Sequence, residues 1–200
     1  MVQSFNFDAI KLFYKALLHP DLLKPTLVVK NFKHLDCKAL NEKFGTEYLV
    51  FDLDNCLSKP YQNALWPEFE EAWTLCKKRY GKANMLILSN SAGTADDKEH
   101  AKAKIAEDNF GVKVLKHSNW KKPSPEARSA ILDHFGLKET EARKVAVVGD
   151  RVLTDVLLAN NSGFVSVLTR VPIDTVSDNI PARLVRSLEH VYIDYKYPKP

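Results

Sequence analysis

Short apolar runs alternate along this chain with longer stretches of helical spacing. Tyr48–Phe51, Met85–Leu88, Val112–Leu115, Val145–Val148 and Val165–Leu168 read as buried strands, and Thr26–Lys30 as a shorter one, because brief β-favouring runs bounded by turn residues are how strands announce themselves. Between them, Pro67–Tyr80 reads as a helix with proline in its first turn and Gly81 at its end. Thr94–Asp108 reads as a polar helix with Thr94 as N-cap, Pro123–Phe135 as a helix ended by Gly136, and Leu153–Asn161 as another. Strands alternating with helices predict an α/β fold with a parallel sheet covered on both faces. Beyond Leu168 the chain reads as a Pro- and Tyr-containing tail.

The first segment carries more apolar surface than one docking contact requires. Helical spacing from Phe7 to Leu18 puts Phe7, Ile10, Phe13, Tyr14, Leu17 and Leu18 on one face, with Ala9, Leu12 and Ala16 widening it and only Asp8, Lys11 and Lys15 as a polar wedge. Such a helix suits a membrane interface, or burial in its own domain or in a dimer. His19-Pro20 and Lys24-Pro25 close the segment, since a residue before proline is pushed out of the helical region. The expected division is therefore an amphipathic, membrane-associating segment over 1–25 and a single domain over 26–200.

Composition narrows the class. The 200 residues, 45% hydrophobic and 27% charged, suit a soluble globular domain with a full core. A formal charge of +4 fits an anionic substrate or a membrane surface, and with no clustered basic patch nucleic acid is not an expected partner. Cys37, Cys56 and Cys76 are widely spaced and suggest neither a disulfide framework nor a zinc site, so a reducing compartment is the default. No apolar run approaches the ~20 residues of a membrane-spanning helix, and no signal-peptide pattern opens the chain.

Candidate chemistry lies at the strand ends. Tyr48–Phe51 runs into Asp52-Leu53-Asp54, delivering two carboxylates to the sheet's carboxyl edge, where open α/β sheets bind ligands. Two carboxylates that close repel unless a cation such as Mg²⁺ lies between them; an ordinary Asx turn is the plainer alternative. The later strand ends offer Ser89 and Asn90, then Lys121-Lys122-Pro123, then Gly149-Asp150 with Thr154-Asp155 close behind. His117, Ser118, Trp120 and Arg151 are candidates to flank a pocket, and Cys56 reads as a small packing residue rather than a nucleophile.

In this order the four motifs resemble the haloacid dehalogenase-like phosphatases. The wording Asp-Leu-Asp-Asn-Cys, Ser-Asn-Ser-Ala-Gly, Lys-Lys-Pro and Val-Val-Gly-Asp-Arg-Val-Leu-Thr-Asp is similar, within them, to the mitochondrial phosphatidylglycerophosphate phosphatases, over roughly Leu22 to Leu168. The resemblance implies a Rossmann-like three-layer sandwich around a mostly parallel sheet. Asp52 would be the nucleophile that becomes an aspartyl phosphate, Asp54 the general acid and base, and Lys122, directly before proline, the neutralising cation. Ser89, the amide of Asn90 and Lys122 would bind phosphoryl oxygens. Asp52, the backbone carbonyl of Asp54, and Asp150 would hold Mg²⁺, with Asp155 reaching the metal or steering its waters and Lys122.

Only about thirty residues separate the first motif from the second, and about thirty the second from the third, which a crossover helix and its loops nearly consume. No cap domain fits, and an open site suits a bulky or surface-bound substrate such as a phospholipid. The expected activity is Mg²⁺-dependent conversion of phosphatidylglycerophosphate to phosphatidylglycerol, at the matrix face of the mitochondrial inner membrane through peripheral contact by the N-terminal helix. The first residues, with Asp8 and no arginine, make a poor transit peptide by composition. The alternatives are a soluble, cytoplasmic phosphatase of the same family acting on a small or protein-borne phosphomonoester, and a non-catalytic phosphate-binding module. Oligomeric state is left open.

Overall fold

Six strands, all parallel, form one sheet in the order β1-β6-β5-β2-β3-β4. They are β1 (Leu27–Val29), β2 (Tyr48–Phe51), β3 (Met85–Ile87), β4 (Lys113–Val114), β5 (Val145–Gly149) and β6 (Val165–Thr169). The helices are α1 (Cys37–Phe44), α2 (Glu70–Tyr80), α3 (Ala101–Phe110), α4 (Pro125–Phe135), α5 (Leu157–Ser162) and α6 (Ile180–Lys196). This computed structural model describes residues 12, 14–16, 18–174, 176 and 180–196. Of the predicted N-terminal helix, Phe7, Ile10, Phe13 and Leu17 lie outside the described residues.

The period of two along each strand sorts the core into layers. Leu49, Phe51, Met85, Ile87, Ala146, Val148, Val165 and Val167 turn to one face, where they meet Leu40 of α1, Trp73 and Cys76 of α2, and Ala103 and Phe110 of α3. Val50, Leu86, Leu88, Val145 and Val147 turn to the other, against Ala127, Ile131 and Leu132 of α4 and Leu158 and Ala159 of α5. Both faces are therefore dry, which is why these strands are apolar at consecutive positions rather than alternate ones. Trp73 anchors the first face: its ring meets Phe51 at 5.2 Å, Phe110 at 5.6 Å and Phe32 at 5.9 Å edge-on, while its Nε1 donates to the Phe110 carbonyl. The connection from Phe51 to Met85 is taken up by turns and α2, and no cap domain is inserted among the described residues.

Several expectations need correction. The stretch after Leu168, read only as a tail, contains the 17-residue α6 over 180–196. The helix α1, capped by Asp36 accepting from the amides of Lys38 and Ala39, has no counterpart in the predicted elements. The predicted helix over Thr94–Asp108 begins only at Ala101. Asp97, buried, accepts instead from the amides of Gly93, Lys102 and Ala103, and these bonds curl the preceding residues into turns. Gly93 permits that curl: its φ is +78°, and a Cβ there would stand 2.7 Å from the Leu115 carbonyl. Cys37 and Cys76, read as unpaired, face each other across α1 and α2 with Cα atoms 5.7 Å apart and are joined as a disulfide.

The helical residues 12, 14–16 and 18 divide their apolar surface. Leu12 and Ala16 pack with Leu23, Val152, Val156, Leu157, Leu168 and Ile193 in a third core cluster, whereas Tyr14 and Leu18 are exposed. Spacing left open which part of this wide apolar surface docks; the docked side is the one that Leu12 and Ala16 widen.

Candidate active site

β2 and β5 are neighbours in register, Phe51 beside Val148, so the residues that come after them emerge side by side at the carboxyl edge. Asp52 carries the pairing one rung further, its amide donating to the Val148 carbonyl, before the chain turns away. Asp150 comes directly after β5, and Asp155 returns to the same point from a π-helical turn over Val152–Val156. The three carboxylates, all buried, offer oxygens that lie within 4.8 Å of one another. Gly149 makes this convergence possible, since a Cβ there would stand 2.3 Å from the Asp155 carboxyl carbon.

Lys122 enters from the loop after β4. Its Nζ donates to Asp52 Oδ1 and Asp155 Oδ1, both at 2.6 Å, with the side chain 3% exposed. The lysine is held there by Asn90, whose side chain pairs with the Lys122 backbone in both directions, accepting from its amide and donating to its carbonyl. Lys121, by contrast, lies outside and pairs with Asp96. Asn90 was expected to act through its backbone amide alone, so this bracing role of its side chain is additional.

The two carboxylates of the D-x-D pair have different partners, Asp52 meeting Lys122 and Asp54 the rim. β2 stops at Phe51, and Asp54 sits on a bridge to Ser58, its Oδ1 accepting from the Tyr61 amide and its Oδ2 from Ser91 Oγ. Ser91 in turn shares a hydrogen bond with Ser89, whose hydroxyl also accepts from the amides of Ser91 and Ala92. Asp54, Ser91 and Ser89 thus form one polar chain along the rim, in which Ser91 went unrecognised in the sequence.

Burial dominates the electrostatics. It pushes Asp52 up to about 7, with Asp155 and Asp54 adding to the rise and Lys122 opposing it. Asp150 is driven well above the usual carboxylate range by the same desolvation, against the pull of Arg186. Burial alone would lower Lys122, yet Asp155 and Asp52 outweigh it and hold the ammonium above its ordinary value. Three carboxylates against Lys122 and Arg186 leave one formal negative charge in a dry site. Asp150 Oδ1 is buried there with no hydrogen-bond partner. A compact set of hard oxygen donors with an unsatisfied carboxylate oxygen fits a divalent cation. Cys56 is buried and its thiol is pushed up by desolvation, which suits packing and not nucleophilic attack.

Of the expected flanking residues, His117, Trp120 and Arg151 brace the site. His117 stacks on Trp120 with ring centroids 3.9 Å apart, and its nitrogens face the carbonyls of Trp120 at 2.7 Å and Ser89 at 3.1 Å. Burial holds its pKa below the ordinary value even though both carbonyls favour the charged ring. Arg151 is engaged by Glu189 of α6 at 2.9 Å, and Ser118 is exposed. Arg186 and Glu189 carried no local signal, each standing 36 residues from a group it holds, Asp150 for Arg186 and the Leu153 amide for Glu189.

Comparison with known proteins shows the family to which the chain belongs. Residues 7–174 match the family described as mitochondrial PGP phosphatase. The chain is 37% identical over 158 residues to the mitochondrial phosphatidylglycerophosphatase GEP4 of Saccharomyces cerevisiae, covering 78% of this chain and 82% of that protein. It is 37% identical over 166 residues to the chloroplastic/mitochondrial phosphatidylglycerophosphate phosphatase 1 of Arabidopsis thaliana, 82% of this chain but 45% of that longer protein. A probable mitochondrial phosphatidylglycerophosphatase of Schizosaccharomyces pombe is 28% identical over 166 residues, 79% of each chain.

Proposed function

Because the chain belongs to the mitochondrial PGP phosphatase family, we propose that it removes the phosphate monoester of phosphatidylglycerophosphate, releasing phosphatidylglycerol and inorganic phosphate. The observation that carries this reading is the buried Asp52, 2.6 Å from Lys122 and beside Asp150 and Asp155, at a strand end in a chain with these relatives. A phosphate monoester hydrolyses very slowly unaided, so a site must neutralise its charge and divide the displacement into easier steps.

Asp52 is the nucleophile in this reading. One of its carboxylate oxygens bonds to phosphorus as the phosphorus–oxygen bond to the lipid glycerol breaks, leaving an aspartyl phosphate. Asp54, steadied by Ser91 and the Tyr61 amide, acts as the general acid and gives a proton to the departing alkoxide. Water then attacks phosphorus, Asp54 takes a proton from it, and phosphate leaves with Asp52 restored. Ser89, the amide of Asn90 and Lys122 hold the phosphoryl oxygens and their charge. Asp52, Asp150 and the Asp54 backbone carbonyl would hold Mg²⁺, with Asp155 at its side; when bound, the ion supplies charge neutralisation to the phosphoryl group and the attacking carboxylate.

A lipid substrate calls for a surface that meets the bilayer. Supporting this, Tyr14 and Leu18 are exposed, and so is a stripe on α6, Leu184, Leu188, Val191 and Tyr195, each between 64% and 85% accessible. No helix among the described residues is long and apolar enough to cross a membrane. We assign a peripheral contact that includes the segment 1–25. The relatives' names support a mitochondrial location, and we assign the matrix face of the inner membrane.

The test is a phosphate-release screen that compares phosphatidylglycerophosphate in vesicles with soluble phosphomonoesters, with and without Mg²⁺. The lipid should be the better substrate by kcat/KM, with release lost in chelator. Equal or better turnover of a soluble ester would replace the lipid assignment with the soluble phosphatase alternative, and phosphate release by Asp52→Asn would end the covalent mechanism.

A further inference from the structure

We infer that Arg186, in the C-terminal helix beyond the end of the family match, is a positioning residue that orients Asp150 as a ligand for the divalent cation. The inference rests on the reading of the site as a metal-assisted phosphatase.

Asp150 reaches this point on a short tether, directly after β5, and its carboxylate could turn about its own bond. Arg186 prevents that. Its Nε donates to Asp150 Oδ2 at 2.8 Å, its Nη2 lies 2.8 Å from the same oxygen in an ion pair, and the guanidinium is buried with the carboxylate. Two nitrogens converging on one oxygen hold that oxygen in place and leave the other for something else. That other oxygen, Oδ1, is buried without a hydrogen-bond partner, and Asp150 is one of the three carboxylates that converge. An unpaired buried carboxylate oxygen is costly unless a ligand completes it.

Glu189 makes the grip a property of the helix and not of one side chain. One turn beyond Arg186 on the same face, it accepts from Arg151 Nε at 2.9 Å and from the Leu153 amide at 3.0 Å. Ile193, a further turn along, is buried against the cluster that contains Val152 and Val156. Residues 150, 151 and 153 are therefore all held by α6, and with them the turn that brings Asp155 back to the site. Partners behind a metal ligand typically change metal affinity about 10–100-fold when removed.

Simple charge neutralisation by Arg186 is the rival explanation, and Lys separates the two because it keeps the charge and loses the two-nitrogen grip. Mn²⁺ binding is measured by electron paramagnetic resonance of the free ion during titration of the full-length protein, alongside a thermal melt and steady-state kinetics on a soluble phosphomonoester. Arg186→Gln should weaken Mn²⁺ binding about 10–100-fold. Arg186→Lys should weaken it too, by less, while KM for the ester at saturating metal stays near the parent value in both. Parent-like Mn²⁺ affinity in either folded variant overturns the inference; if Arg186→Gln does not fold, Arg186→Lys decides it alone. Failure of the parent protein to bind Mn²⁺ would instead remove the metal-site reading itself, and the inference with it.

Discussion

Lys122 and Asp52 are partners, yet removing one should have the opposite effect on stability from removing the other. Lys122→Met takes away the cation that lies 2.6 Å from both Asp52 and Asp155 and leaves those two carboxylates without their ion pair, beside an Asp150 already held by Arg186. Breaking a buried pair from one side costs about 3–5 kcal/mol. For a chain of this length each kcal/mol moves the midpoint by roughly 2–4 °C, so the melt should fall by ~6–20 °C in metal-free buffer. Asp52→Asn does the reverse. Its folded pKa is raised from 3.8 to about 7 by burial, so folding is favoured by the protonated form, and that contribution is lost as pH rises from the unfolded value through the folded one. Above about pH 7 the ionised carboxylate costs at most ~4 kcal/mol, a ceiling from about 1.4 kcal/mol per pKa unit. Replacement by Asn removes that cost, and Lys122 keeps Asp155. Differential scanning fluorimetry in chelator, at about pH 8 and again near pH 5, is the assay. Asp52→Asn should melt at or above the parent at the higher pH, with its advantage shrinking on acidification, while Lys122→Met melts far below. Both should be inactive. Were Asp52→Asn the strongly destabilised one and Lys122→Met indistinguishable from the parent, the account of this site as a negative, desolvated pocket held by Lys122 would be refuted.

Asp54→Asn should lower kcat by ~10²–10⁴ while Mn²⁺ binding persists, because the backbone carbonyl survives; loss of Mn²⁺ binding in this variant would show that the carboxylate is itself a ligand. Gly149→Ala should cost about 1–3 kcal/mol and most of the activity, since its Cβ would displace the Asp155 carboxylate, and a fully active variant would contradict the packing described. Changing Leu184, Leu188 and Val191 together to Ser should abolish sedimentation with anionic vesicles and slow turnover of lipid in them. The same variant should hydrolyse a soluble phosphomonoester as before, and unchanged vesicle binding would remove α6 from the membrane contact.

How much of this was visible in the chain depends on how local the cause is. Asp52, Ser89, Lys122, Asp150 and Asp155 could be picked out because each stands at or just past the end of an apolar run, and parallel strands put such ends on one edge. The extra layer of support could not. Asn90 braces Lys122 across 32 residues, and the chain from Asp54 through Ser91 to Ser89 spans two loops. Asp97 looked like an ordinary residue of a polar helix, yet its bonds to Gly93, Lys102 and Ala103 delay that helix to Ala101. The N-terminal segment failed differently. Its apolar face was wide enough that periodicity could not choose a direction, and the choice of Leu12 and Ala16 over Tyr14 and Leu18 was made by the shape of what they meet.

α6 is the sharpest case, because there the usual rule points the wrong way. Leu184, Leu188, Val191 and Tyr195 recur at helical spacing, and a reader of periodicity would bury them and leave Arg186 and Glu189 in solvent. The structure does the opposite, with Arg186 at 6% and Glu189 at 4% exposure and the apolar stripe outside. Burying an arginine and a glutamate is costly unless both find partners, and each has one waiting: Asp150 for Arg186, Arg151 and the Leu153 amide for Glu189. The inverted helix is thus fixed by the charge the active site needs to place together with the buried Ile193, not by its outward apolar stripe. The outward stripe is therefore free of any duty to the core. On our reading that leaves it for the bilayer, with the same helix holding the metal-side carboxylate from its inner face.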